Sequence, residues 1–210
     1  MGICAALFEA QRSGQGQVID CAMTDGATSL MTMFYGMKAS NFWSTTRGVN
    51  MLDGGAHFYD VYETADAKFI SLGSIEPQFY ALLREKAGLD DAGFDAQMDR
   101  GQWPDLKAKV AEAIKTKTRD EWDALMEGTD VCYAPVLDMD EAASHPHNLA
   151  RETLVERDGV TQPNVAPRFS RTQSEIQGPP PMIGAHNETA LQAWGFDDND
   201  LETLKSAEAI

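Results

Sequence analysis

The sequence predicts an α/β chain in which a small α+β module interrupts pieces of a second domain. Three observations predict it. Residues 1–40 run helix, strand, helix and then lose their period through residue 56. Two strand-like runs, three amphipathic helices and a further strand follow before residue 145. Beyond that the chain turns proline-rich, then recovers two short helices. The predicted divisions are 1–40 as an α/β piece of that other domain, 41–56 as a linker and 57–145 as the inserted α+β module. An extended return linker over 146–185 leads to C-terminal helices over 186–210 that rejoin the other domain.

Each element has a local reason. Cys4, Ala5, Leu7 and Phe8 followed by Glu9 to Arg12 read as a helix already under way, with no Ser, Thr, Asp or Asn cap before it. A start of this kind is expected to have further sequence upstream. Ser13-Gly14-Gln15-Gly16 ends that helix, and Gln17 to Ala22 reads as a short strand. Met23 to Ala39 returns to helical spacing, with Leu30, Met31, Phe34, Tyr35 and Met37 on one side. His57 to Glu63 and Lys68 to Leu72 are strand-like runs joined across Thr64-Ala65-Asp66-Ala67, the pattern of a hairpin.

Glu76-Pro77 then opens a helix through Phe79, Leu82 and Leu83, with proline at the first turn where its missing N–H costs nothing. A second helix spans about Pro104 to Lys115 on Leu106, Val110 and Ile114. Thr118 and Glu121 have capping-box spacing ahead of a third. Val131 to Val136 reads as a buried strand, and Asp138 with Glu141 caps a short helix. Pro146, Pro163, Pro167 and Gly178-Pro179-Pro180-Pro181 mark an extended segment. Asn187 to Trp194 and Asp198 to Ser206 are helical, separated by Gly195.

Composition narrows the function. The 210 residues carry 17 Lys+Arg against 33 Asp+Glu, a formal charge of −16. Such an acid excess opposes both nucleic-acid phosphates and anionic membrane surfaces. Cys4, Cys21 and Cys132 are widely spaced and form neither a disulfide framework nor a zinc motif, so a cytoplasmic setting is expected. No apolar run approaches the roughly 18 residues of a membrane span. The first residues fit neither a signal peptide nor a myristoylation site, where Ala6 stands in place of Ser or Thr.

Several residues invite a functional reading. Ser13-Gly14-Gln15-Gly16 stands after a helix and before a strand, the wrong order for a dinucleotide loop, and reads as a turn. Glu141, His145 and His147 fall short of a metal site because Pro146 breaks the helix between the histidines. Asp53 and Asp66 sit at turns, where Asp serves turn geometry. Met23, Met31, Met33, Met37 and Met51 suit a core or interface better than an acyl groove. Glu76 is the sharpest candidate, a carboxylate between a strand end and a helix start. On its own it is also what any helix N-terminus favours.

Four segments in order carry a resemblance: Gly14 to Asp20, Arg47 to Tyr59, Gly73 to Tyr80 and Gly128 to Val136. With them the chain resembles the alpha-methylacyl-CoA racemases of the family III CoA-transferase (CaiB/BaiF-type) group, essentially from Met1 to Ile210. Leu52-Asp53-Gly54-Gly55 and Ile75-Glu76-Pro77-Gln78-Phe79-Tyr80 point to the racemase branch. The Gly-Gln-Gly-Gln-Val turn is shared with the transferases. His57 stands where these racemases usually carry Pro, and Ala67 where the hairpin usually carries Gly, so Ala67 is expected to avoid positive φ.

The resemblance implies the family III CoA-transferase fold, a Rossmann-like large domain plus a small α+β domain, in an interlocked homodimer. It implies epimerisation of 2-methyl-branched acyl-CoA thioesters by 1,1-proton transfer through an enolate. Two acid/base groups must flank the α-carbon, and donors must meet the thioester oxygen. The substrate is acyl-CoA, and neither cofactor nor metal is implied. The family's catalytic His and Asp match no position here and are expected upstream. Glu76 does match, and the resemblance gives it a catalytic role, orienting the partner subunit's His. Ile75 and Tyr59 are expected to line the acyl pocket. Two alternatives stay open: a family III CoA-transferase working through an aspartyl anhydride, and a truncated, non-catalytic partner subunit. The chain alone is expected to be inactive.

Overall fold

The computed structural model describes all 210 residues. It divides into two compact units, Met1–Val136 and Leu137–Ile210.

The first unit opens with α1 (Gly2–Ser13), α2 (Met23–Leu30) and α3 (Thr32–Ala39). None of the three contains a buried residue, and Leu7, Phe8, Val18, Met23 and Met33 are all exposed. The periodic stretch 23–39 is two helices because Met31 leaves helical ψ at 0° between them. The strand expected over Gln17–Ala22 does not form. A strand is defined by its ladder, and no neighbouring strand of the chain pairs with this segment.

The core of this unit is built from residues beyond α3. β1 (Tyr59–Glu63), β2 (Phe69–Gly73) and β3 (Tyr133–Val136) make an antiparallel sheet in that order. Tyr59 pairs with Gly73, Glu63 with Phe69, and Phe69 with Val136. Alternation puts Tyr62, Ile70 and Leu72 on the core face and leaves Tyr59, Val61 and Phe69 outside. β3 is half-exposed along its length rather than buried, since its outer positions have no layer above them.

α4 (Pro77–Ala87), a 3₁₀ turn (Ala92–Asp95), α5 (Trp103–Ile114) and α6 (Arg119–Met126) cover the inner face. α5 buries Trp103, Leu106, Val110 and Ile114 at helical spacing. α6 starts with the predicted capping box, Thr118 and Glu121 exchanging side-chain and backbone bonds. Its Trp122 is fully buried and donates its indole N–H to the Ile114 carbonyl at 2.8 Å. Burying a side chain of that size is worth roughly 2–3 kcal/mol, and the indole bond removes the cost of an unpaired donor.

The hairpin corner departs from expectation. Ala67 has φ 58°, so the turn holds a β-carbon in the left-handed region where the resemblance places Gly. The ladder outweighs the local cost: Thr64 N–H reaches Lys68 O at 2.9 Å and Ala67 N–H reaches Thr64 O at 3.2 Å.

In the second unit, α7 (Met139–Ser144) carries the expected Asp138–Glu141 capping box. α8 (Pro146–Ala150) is helical where an extended chain was predicted. Pro146 breaks one helix but begins another, with His145 Nδ1 accepting the His147 N–H at 3.3 Å as the cap. β4 (Leu154–Arg157) and β5 (Val160–Pro163) form a hairpin across Asp158-Gly159, both at positive φ. α9 (Asn187–Ala193) and α10 (Asp198–Ser206) close the unit, bridged by Lys205 to Glu188 at 2.9 Å. No helix of the chain is long and apolar enough to cross a membrane.

Candidate active site

β2 ends at Gly73, and within three residues the chain turns from extended strand into α4. Gly73 N–H donates to Cys132 O at 2.9 Å, holding this end of β2 against the start of β3. Ser74 is fully buried. Its N–H donates to Phe58 O at 3.0 Å, and its hydroxyl donates to the Val131 carbonyl. Glu76 is the N-cap residue in extended geometry, φ −71° and ψ 141°, with Pro77 as the first helical residue. Its carbonyl starts α4 by accepting the Tyr80 N–H at 2.9 Å.

The Glu76 side chain is exposed and makes no capping bond to its own helix. It is therefore a carboxylate on a fixed mount, free to accept a hydrogen bond from a donor brought to it. The thiol of Cys132 lies close enough to feel it. Burial first, and then the negative charges of Glu76 and Asp130, push that thiol up, so it stays protonated at neutral pH. Cys132 itself adopts φ 59°, another β-carbon in the left-handed region.

A cleft of about 380 Å³ opens at the same end of the sheet, lined among others by Leu52, Gly54, Tyr59, Gly73, Cys132 and Tyr133. Tyr59 stands over Gly73, whose missing β-carbon would lie 3.6 Å from the Tyr59 ring. Tyr59 therefore reaches the cleft, while Ile75 is half-buried and packs against the core. The cleft rim is tied down by Lys107, which pairs with Asp60 and donates to Gly54 O at 2.5 Å.

The other candidates serve the framework. Asp53 accepts from Asn50 N–H and Asn50 Nδ2, both at 2.7 Å, and from Gly48 N–H at 3.1 Å. Burial opposes its ionisation, but those bonds prevail and hold its carboxyl below the usual range. Asp66 takes the Thr64 hydroxyl at 2.6 Å and the Arg119 N–H at 3.1 Å. His57 is fully buried, His145 caps α8 and His186 precedes α9. None of the four histidines lines the cleft. No group of three or more His, Cys, Asp or Glu is placed to hold a metal ion.

One residue at this site had no signal in the sequence: Gln97, whose amide reaches the junction from a distant loop.

The site thus presents an exposed carboxylate at a strand–helix junction beside an open cleft. The pattern of CoA-transferase family III matches residues 1–187, and the chain belongs to that family. Within it, the chain is 40% identical to an alpha-methylacyl-CoA racemase of Mus musculus over 98% of its own length and 55% of the relative's. It is 38% identical to the Homo sapiens alpha-methylacyl-CoA racemase over 100% of its length and 56% of the relative's. A succinyl-CoA–D-citramalate CoA-transferase of Chloroflexus aurantiacus is 27% identical over 100% of the chain and 55% of the relative. The chain thus spans about half the length of the curated relatives it matches. A CaiB/BaiF family protein of Brucella suis shares the fold at TM-score 0.70 and 21% identity, over 91% of this chain and 51% of that one.

Proposed function

We propose that the chain forms part of an alpha-methylacyl-CoA racemase, epimerising 2-methyl-branched acyl-CoA thioesters by 1,1-proton transfer. One group removes the α-proton, the thioester oxygen carries the electron pair as an enolate, and a group on the opposite face returns a proton. Glu76 accepts a hydrogen bond from the catalytic His of a partner subunit. It fixes that ring's orientation and stabilises its charged form, as the third member of a triad serves its base. Tyr59 lines the acyl side of the cleft and Ile75 backs it. The reading calls for acyl-CoA as substrate, an interlocked homodimer and no cofactor.

The observation that carries the reading is the exposed, uncapped Glu76 on the Ile75-Glu76-Pro77 junction, in a chain more similar to racemases than to the D-citramalate transferase.

The test is deuterium uptake. The gene product, with any coding sequence continuous upstream of Met1, is incubated with a single epimer of a 2-methylacyl-CoA in D2O. Mass spectrometry is expected to show deuterium at C2 and formation of the other epimer. Glu76→Gln is expected to lower kcat about 100-fold or more, the scale of a misdirected general base. Residues 1–210 alone are expected to show no exchange. CoA transfer to a free acid without α-exchange would replace this reading with the transferase one.

A further inference from the structure

The Glu76 carboxylate is only as well placed as the backbone that carries it, and one distant amide holds that backbone. Gln97 lies on the loop between the 3₁₀ turn and α5. Its side-chain Nε2 donates to Ser74 O at 3.1 Å and to Ile75 O at 2.9 Å, the two carbonyls that immediately precede Glu76. Both targets are acceptors, so the amide must present its NH2 and its orientation is settled by chemistry.

The loop carrying Gln97 is fixed in turn. The Gln97 main-chain carbonyl accepts the Trp103 indole N–H at 2.8 Å, and Trp103 is a core residue only 3% exposed. The indole packs edge-on against Phe58, the residue whose carbonyl receives the Ser74 N–H. Ser74 and Ile75 are therefore clasped from two sides, and Pro77 restricts the backbone just beyond. None of these bonds is needed to make α4, which begins with its own proline and the Glu76–Tyr80 bond. What they fix is the direction in which the Glu76 side chain leaves the main chain.

We propose that Gln97 is a positioning residue for the Glu76 carboxylate, acting through the Ser74 and Ile75 carbonyls. The inference rests on the reading that Glu76 orients a catalytic imidazole. The Gln97 amide reaches the Ser74 and Ile75 carbonyls. Its effect is geometric, and misplacements on the ångström scale are enough to cost orders of magnitude in rate.

Gln97→Met keeps the length of the side chain and removes both donors. In the folded chain, the 15N order parameter of the Glu76 amide is expected to fall from about 0.85 towards 0.6, from rigid to mobile backbone. In the active enzyme, kcat for α-proton exchange is expected to drop roughly 10- to 100-fold, with KM within about twofold. A loosened Glu76 holds the imidazolium less well, so the rising limb of the pH profile is expected to move to lower pH. In a Glu76→Gln background the Gln97→Met change should cost nothing further, because the two residues act as one unit. Unchanged order parameters, or an equal loss of kcat in the Glu76→Gln background, would overturn the proposal. Loss of order in Gln97→Met alongside a wild type that exchanges no α-proton would sustain the strap and remove the racemase reading instead.

Discussion

The Nε2 atom of His57 lies 2.7 Å from the hydroxyl of Tyr80, inside a core where the imidazole is fully buried. The Tyr80 hydroxyl donates its one proton to Phe94 O at 3.0 Å. Nε2 must therefore carry the ring proton and donate to the Tyr80 oxygen, which leaves Nδ1 a buried acceptor without a partner. The ring is packed edge-on to Phe58 and Tyr80 and tilted against Phe94. Aromatic surroundings of this kind have no place for a second proton.

That arrangement makes stability depend on pH. Burial lowers the His57 pKa from the ordinary 6.5 to about 4. Between those values the unfolded chain binds a proton that the folded chain refuses, so stability falls as pH falls through the window. The loss between pH 7 and pH 5 is about 2 kcal/mol. Urea unfolding at the two pH values is expected to show it, and His57→Leu to remove most of the difference. An undiminished difference in His57→Leu would assign the acid sensitivity to other groups.

Ala67 offers a change in the opposite direction. Its φ of 58° strains a β-carbon that glycine does not have. Ala67→Gly is expected to stabilise the hairpin by about 0.5–1 kcal/mol, after subtracting the extra freedom glycine gains in the unfolded chain. A melting temperature equal to or below that of the wild type would count against this account.

Gly55 is the reverse case. A β-carbon there would sit 2.6 Å from both Asn50 O and Val49 C, main-chain atoms that cannot swing away. Gly55→Ala is expected to cost about 2–3 kcal/mol, the range of overpacked interiors, seen as a lower urea midpoint. Because Leu52 and Gly54 line the cleft, the proposed function further predicts a higher KM for the acyl-CoA in the active enzyme under conditions where the variant remains folded. A midpoint shift without any effect on KM would separate this loop from the site.

What the sequence made legible was local. Thr118 with Glu121 and Asp138 with Glu141 announce their helices through side chains that serve their own backbone. The boundaries of α10, Asp198–Ser206, follow from the capping Asp197 and the apolar Leu201. Gln17–Ala22 misled because strand propensity says what a segment could do beside a partner, and pairing is not a local property. Pro146 misled because a helix breaker at one position is a helix starter at the next. The candidate Glu76 is picked out in the sequence by its neighbours Ile75 and Pro77. Gln97 is not: its bonds to Ser74 and Ile75 span more than twenty residues and leave no pattern along the chain.

The bond from Ser74 to the Val131 carbonyl joins residues 57 apart in sequence, and the neighbouring Gly73–Cys132 bond crosses a similar span. The β1–β2 hairpin can form early from adjacent segments, and it would already carry Glu76 at its end. The bonds that set the backbone before that carboxylate require β3 beside β2. Long closures of this kind come at the slow end of folding. The Glu76 backbone is thus set by parts of the chain that lie far along the sequence, and truncation before β3 would leave the residue without the bonds that hold its neighbours.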